Sequence, residues 1–288
     1  MSADCRPASR PARRLGRAAG EAVRGLLLAL SSAVALYPVV WLVAVSLKSK
    51  AQYAAEKLFF SWPPYLGNLA AALQGGRFLL WFLNSSIMTV GSVLLCTLVA
   101  FFAAFAFAKM SFRGRNLIMN LIISLMVIPV AVLIVPLFVL YTRTHLMSTY
   151  PGLILIYAAV CLPFSVYLLT NFFRTVPDGI MEAGVIDGAS ILQILSRIVV
   201  PLSGPPITTL IVVNALWVWN ELLLALVFLP KDDLRTLMVG ITVFKSRYNL
   251  DVPVTMAGLL MTTLPMVLLY VVFQRVFIRG LTAGALKG

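Results

Sequence analysis

Residues 176–201 read VPDGIMEAGVIDGASILQILSRIVVP, an amphipathic stretch set between two long apolar runs. It carries Asp178, Glu182, Asp187 and Arg197. Thr175 and Asp178 have the spacing of a capping box, and Pro177 suits a first helical turn, so a helix is expected to start here. Gly188 is a natural helix stop. Ser190 and Gln193 repeat the capping-box spacing and start a second short helix, and Pro201 opens the next apolar run. The expected local structure is helix, glycine turn, helix. Ala183, Gly184 and Gly188 carry little side-chain bulk, which predicts a surface that another protein's backbone approaches closely. Glu182 falls in the first turns, where a carboxylate complements the helix dipole.

The flanks of this stretch decide the class. The chain is 61% apolar and 11% charged, a composition that excludes an ordinary soluble domain and indicates a polytopic membrane protein. A net charge of +13 then reflects basic loops on one side of the membrane, with no nucleic acid needed as a partner. Cys5, Cys96 and Cys161 are odd in number, widely spaced and without a CxxC, so they imply neither a disulfide framework nor a metal site.

Six apolar runs are expected to span: residues 25–45, 80–108, 117–141, 153–173, 202–229 and 255–277. The first follows a basic arm, residues 1–24, rich in Arg, Ala and Pro and expected to be disordered at its start. It is too long for a signal-peptide core and is read as a retained span, kinked at Pro38. Residues 46–79 form a mixed, non-spanning segment with a short interfacial helix at its end. Ala100, Ala104 and Ala108 recur every four residues in the second span, a surface for close helix packing. Pro129 and Pro136 lie within the third span and Pro163 within the fourth; such breaks are tolerated where protein or a cavity covers them. His145, with no Asp, Cys or second His beside it, is read as a surface residue. Residues 231–253 are expected to be an outer loop. With both termini inside, fourteen Lys and Arg lie on the inner side and nine on the outer, in line with the positive-inside rule.

Glu221 is the one acidic residue inside an expected span. In a continuous helix Asn214, Trp217 and Glu221 share one face. Two readings stand side by side for Asn214: a polar–aromatic face that meets sugar hydroxyls in a pore, or interhelical hydrogen bonds that hold a partner subunit. For Glu221 the structural role is favoured. There is no Walker A loop, no HExxH, no GxSxG and no acidic metal cluster, so an enzyme is not expected. A self-sufficient secondary transporter predicts inverted repeats and more intramembrane charge, and neither is visible.

The opening stretch closely resembles the EAA motif of binding-protein-dependent ABC importer permeases. The matching positions are Glu182, Ala183, Gly184, Gly188, Ile198, Val200 and Pro201. Gly184 stands where that motif has its second Ala, and Val200 where it has Leu; a Gly at 184 loosens the helix by about 1 kcal/mol relative to Ala. Trp219-Asn220-Glu221 resembles a segment of carbohydrate permeases, and Phe82-Leu83-Asn84-Ser85 and the tail Gly280-Leu281-Thr282-Ala283-Gly284-Ala285-Leu286-Lys287-Gly288 resemble the maltose-type branch. The resemblance implies an all-α protein with six transmembrane helices of the type I importer kind. Its permease domain would be residues 25–288, with a coupling loop at 175–201. It implies that Glu182, Ala183, Gly184, Asp187, Gly188, Ile198 and Pro201 couple the chain to an ATPase. Asn214, Trp217, Asn220 and Glu221 are the candidates for a substrate pathway. The implied partners are a second permease in a heterodimer, two ATPase subunits, an external solute-binding protein and membrane lipid. ATP and Mg would be held by the ATPase, with no cofactor in this chain. The expected location is the inner membrane of a prokaryote, multi-pass, with both termini cytoplasmic, and the expected cargo is a carbohydrate or related polyol phosphate.

Overall fold

Inside a bilayer the backbone has no water to bond, so a long apolar run must close its own hydrogen bonds as a helix. The computed structural model describes residues 10–73, 77–247 and 251–285, with side chains described for 20–73, 77–242 and 251–274. Among these residues all regular structure is helical. In chain order the helices are α1 (Arg10–Ser46), α2 (Lys50–Ala55), α3 (Gly67–Leu73), α4 (Arg77–Lys109), α5 (Arg115–Leu125), α6 (Val130–Arg143) and α7 (Tyr150–Phe173). There follow α8 (Asp178–Ile186), α9 (Ile191–Ile194), a π-helical turn (Leu195–Val199), α10 (Val200–Leu202), α11 (Gly204–Asn220), α12 (Leu223–Phe228), α13 (Leu237–Arg247) and α14 (Val252–Ala285). Among the described residues, α1, α4, α7 and α14 are long and apolar enough to cross a membrane, and two bent pairs raise the number of spans to six.

α4 and α7 are the central pair. Ala100 and Ala104 are fully buried there, packed with Phe101, Leu169 and Phe173, so the small-residue spacing does bring the two helices together. A second cluster, around Tyr157, Leu224 and Phe228, fills the other half of the bundle. The first nine residues and the extreme tail, residues 286–288, lie outside the described structure, so the expectation of a disordered start and part of the resembling tail fall there. The backbone of α1 is one continuous helix from Arg10.

Three spans or loops differ from the sequence reading. The third span is not one helix: α5 and α6 meet at 100°. Pro129 sits at the start of α6 with an extended backbone, and a proline there disfavours helix at the residue before it. Pro136, by contrast, is carried inside α6. The fifth span stops at Asn220; Glu221 is extended (φ −71°, ψ 128°) and a short helix restarts at Leu223. The face shared by Asn214, Trp217 and Glu221 in a continuous helix therefore does not extend to Glu221 as helix.

The expected outer loop at 231–253 contains α13, whose Leu237 and Val239 are buried in the bundle. Gly240 explains how it fits. A Cβ at this position would lie 2.1 Å from Cε3 of Trp81, so the backbone of α13 rests on the indole where no side chain could. The non-spanning segment after α1 holds α3 where one short helix was expected, and α2, which was not, and His145 is exposed at a left-handed position, φ 58°.

Candidate functional site

The helix–glycine–helix stretch folds as a hairpin at one end of the bundle. α8 ends in a pair of crossed hydrogen bonds: the Ala189 amide donates to the Gly184 carbonyl at 2.9 Å, and the Gly188 amide to Val185 at 3.0 Å. This is a Schellman cap, and it requires the left-handed residue that Gly188 supplies at φ +79°. α9 starts with the expected capping box: Ser190 Oγ accepts from the Gln193 amide, and Gln193 Oε1 accepts from the Ser190 amide at 2.8 Å.

The start of α8 differs from the sequence reading. Thr175 Oγ1 donates back to the Phe172 carbonyl and forms no capping box with Asp178. Pro177 occupies the cap position with an extended backbone, one residue before the helix. Asp178 is held instead by Lys109, at the last turn of α4. The Lys109 ammonium donates to Asp178 Oδ1 at 2.7 Å and to the Val176 carbonyl at 2.6 Å, with its side chain only 7% exposed. One cation therefore ties the end of α4 to the first turn of α8. It escaped the sequence reading because residues 69 apart give no spacing signal.

The candidate coupling residues divide into two sets. Glu182, Ala183, Asp187 and Gly188 are exposed on the hairpin. Gly184 and Ile198 face inward: a Cβ on Gly184 would approach Ile194 Cγ1 and Ile198 Cδ1, each at 3.3 Å. The small residue at 184 thus serves packing of α8 on the following helix. Pro201, exposed in α10, lacks the amide that would continue the ladder. A proline ring disfavours the regular bond to the carbonyl four residues earlier, and Leu195–Val199, just before α10, form a π-turn. The hairpin also presents apolar side chains outward, Val185, Ile191, Leu192 and above all Ile186, which is 85% exposed.

The Asn214 region faces α7 of the same chain. Asn214 is 3% exposed, and its Nδ2 donates to Ser165 Oγ at 2.9 Å. Ser165 in turn donates to the Cys161 carbonyl at 2.7 Å and accepts from Cys96 Sγ, so α4, α7 and α11 meet in one satisfied polar knot. Trp217 packs edge-on against Tyr157 with ring centroids 5.9 Å apart. The Tyr157 hydroxyl donates to Glu221 Oε2 at 2.8 Å, while the carboxylate of Glu221 accepts from the amides of Leu224 and Ala225 at 2.8 and 3.1 Å. Glu221 thereby caps α12, where its charge complements the helix N-terminus. The interhelical bond that Asn214 makes is to α7 of its own chain. Asn214 and Trp217 still line a cavity of about 260 Å³ with Met126, Ile128 and Phe164, beside the α5–α6 bend. Asn220 is separated from them, on a different cavity between α11 and α14.

The Phe82-Leu83-Asn84-Ser85 segment forms a latch at the opposite end of the bundle. Asn84 Nδ2 donates to the carbonyls of Asp233 and Arg235, both at 2.9 Å, and its Oδ1 accepts from Tyr150 at 2.6 Å. Ser85 Oγ accepts from the Leu237 amide at 2.8 Å. Phe82 meets Trp219 edge to face, and Trp219 Nε1 donates to the Thr262 carbonyl of α14. Asn84 and Ser85 thus anchor the start of α13 to α4, and Trp219 joins α11 to α4 and α14. Among the described residues no group of three His, Cys, Asp or Glu could hold a metal ion.

Residues 96–281 match the family model described as binding-protein-dependent transport system inner membrane component. The chain is 36% identical to a putative ABC transporter permease protein of Caldicellulosiruptor sp., over 91% of this chain and 96% of that one. It is 33% identical to a sulfoquinovosyl glycerol transport system permease protein of Agrobacterium fabrum, over 93% and 95%. It is 32% identical to a diacetylchitobiose uptake system permease protein of Streptomyces coelicolor, over 100% and 99%. Its fold matches a chain from the crystal structure of a bacterial ABC transporter that imports the acidic polysaccharide alginate. The TM-score is 0.79 at 23% identity, covering 94% of this chain and 99% of that one.

Proposed function

Because the chain belongs to the family of binding-protein-dependent transport system inner membrane components, and is a multi-pass permease subunit of an ABC importer, we propose that it forms one half of the translocation pathway for a carbohydrate. The second half is a different permease chain, two ATPase subunits seat beneath the pair, and an external binding protein delivers the cargo. ATP and Mg are held by the ATPase. The observation that carries this reading is the hairpin: a rigid Schellman-capped element with Glu182, Asp187 and an 85% exposed Ile186 at its tip. Val185, Ile186, Ile191 and Leu192 together expose apolar surface on this capped hairpin, and a cleft in the ATPase covers it. Closure of the ATPases on ATP then moves the hairpin, and the bundle shifts from inward- to outward-facing. The carbohydrate assignment is supported by the sugar-containing cargoes named for the Agrobacterium and Streptomyces relatives.

The test is reconstitution of the permease pair, the ATPases and the binding protein in liposomes. Uptake of labelled di- and oligosaccharides is then measured with ATP on the hairpin side. ATP-dependent uptake of at least one sugar is the expected result. Uptake of a non-sugar solute alone would remove the carbohydrate assignment while leaving the importer.

A further inference from the structure

The segment between α1 and α4 carries a surface that the transport reading leaves unused. Residues 58–66, LFFSWPPYL, contain no charge and are bracketed on the N-terminal side by Lys48, Lys50, Glu56 and Lys57. Their side chains point away from the protein, with Phe59 73% and Trp62 83% exposed, and with Leu58, Phe60 and Leu66 more than half exposed. A contiguous apolar patch of this kind marks a binding or membrane surface.

The backbone beneath it is held firmly. Lys48 is fully buried, and its ammonium donates to the Glu56 carbonyl at 2.6 Å. The Glu56 carboxylate accepts from the amides of Leu58 and Phe59 at 2.8 and 3.2 Å. Those two bonds, aided by the Lys48 charge, hold its carboxyl below the usual range, so the clamp is closed at neutral pH. Gln52 Nε2 donates to the Pro63 carbonyl at 2.9 Å, and the Tyr65 amide to the Leu47 carbonyl at 2.7 Å. The apolar side chains are therefore displayed by a fixed strap.

Its depth follows from one contact. Trp41 Nε1 donates to the Lys57 carbonyl at 3.1 Å. Trp41 lies five residues before the end of α1 at Ser46, which is about 7.5 Å back along the helix axis. The strap thus begins alongside the final turns of a spanning helix, not beyond its end. We propose that residues 58–66 are an interfacial strap that places Phe59, Phe60 and Trp62 in the headgroup–acyl boundary of the bilayer where α1 leaves it. Aromatic rings are at home at that boundary, and the flanking Lys57 suits lipid phosphates, while Lys50 is paired with Asp251 at 3.0 Å. The amphipathic depth needed is on the order of 5–10 Å below the headgroups, which the Trp41 contact supplies. A soluble binding protein would instead need the patch above the bilayer and in water. The inference rests on the depth of the strap and is independent of the cargo.

The experiment attaches a nitroxide at Phe59→Cys and Trp62→Cys in the assembled importer, with other reactive cysteines replaced. The importer is placed in nanodiscs of phosphatidylethanolamine and phosphatidylglycerol. The expected result is collision with oxygen exceeding collision with a water-soluble nickel chelate at both sites. The nitroxides should also quench a fluorophore carried on the lipid near its headgroup. Greater access to the nickel chelate would assign the patch to a soluble partner and overturn the proposal. Low access to both reagents would place a protein subunit over it and overturn it equally.

Discussion

Gly188 sits at φ +79° with nothing within 4 Å of where a Cβ would be, so any substitution there is opposed by backbone conformation alone. That term is about 1 kcal/mol. Gly188→Asp adds a carboxylate beside Asp187 on the exposed tip. The subunit should still insert in the membrane, while co-purification of the ATPase and sugar uptake both fall several-fold; normal values for both would dissociate the hairpin from coupling. Gly184→Ala is the control. The added methyl meets Ile194 Cγ1 and Ile198 Cδ1 at 3.3 Å, which a shift of a few tenths of an ångström relieves, and it recovers helix propensity without touching the exposed tip, so uptake well above that of Gly188→Asp is expected. A second contrast lies on α11. Trp217 is partly exposed on the 260 Å³ cavity, whereas Asn214 is bound to Ser165. Trp217→Cys should react with a small hydrophilic thiol reagent and Asn214→Cys should not. Equal reactivity would show that the α7–α11 seam opens during transport. The spacing of these residues was legible in the sequence. Which neighbour they face was not, because one helical face serves a pore and a packing seam equally well.

At the scale of elements, the hairpin is joined to the bundle by Lys109. Replacing it with an apolar side chain removes two charge-assisted hydrogen bonds, a loss of about 2 kcal/mol in the coupling of α4 to α8. Lys109→Met should leave ATPase binding largely intact but lower the sugar imported per ATP hydrolysed. Asp178→Asn should be milder, since Lys109 keeps the Val176 carbonyl. An unchanged ratio in Lys109→Met would assign the hairpin's rigidity to its apolar packing against α4 and α7. The capping box of α9 and the glycine stop of α8 were readable because both are made by residues within six positions of one another. The failed box at Thr175 has the same local spacing, but Lys109 reaches Asp178 from another helix and the proline sets the first turn.

At the scale of the whole molecule, the hairpin and the Asn84 latch lie at opposite ends of the α4–α7 pair, so the two ends should differ in access across the membrane. With the hairpin on the cytoplasmic side, cysteine at His145 or Lys231 should react with an impermeant maleimide in intact cells. Cysteine at Arg113 should react only after permeabilisation. The reverse pattern would invert the topology. The apolar helix α13 is the largest departure from the sequence reading at this scale. Its short run, flanked by charges, reads as a loop, and the burial of Leu237 and Val239, the Ser85 bond and the indole of Trp81 against Gly240 show that it belongs to the bundle.

The apolar runs, the small-residue face of α4 and the capped hairpin were determined by the sequence alone, because each rests on contacts within a few residues or on the cost of exposing a backbone to lipid. The end of α11 at Asn220 and the seating of α13 were decided by tertiary structure, as was the 100° angle at the break that Pro129 marks between α5 and α6. Each sets local backbone preference against packing with distant parts of the chain. Glu221 shows the balance most directly: its carboxylate bonds Tyr157, 64 residues away, and caps the helix that the break creates.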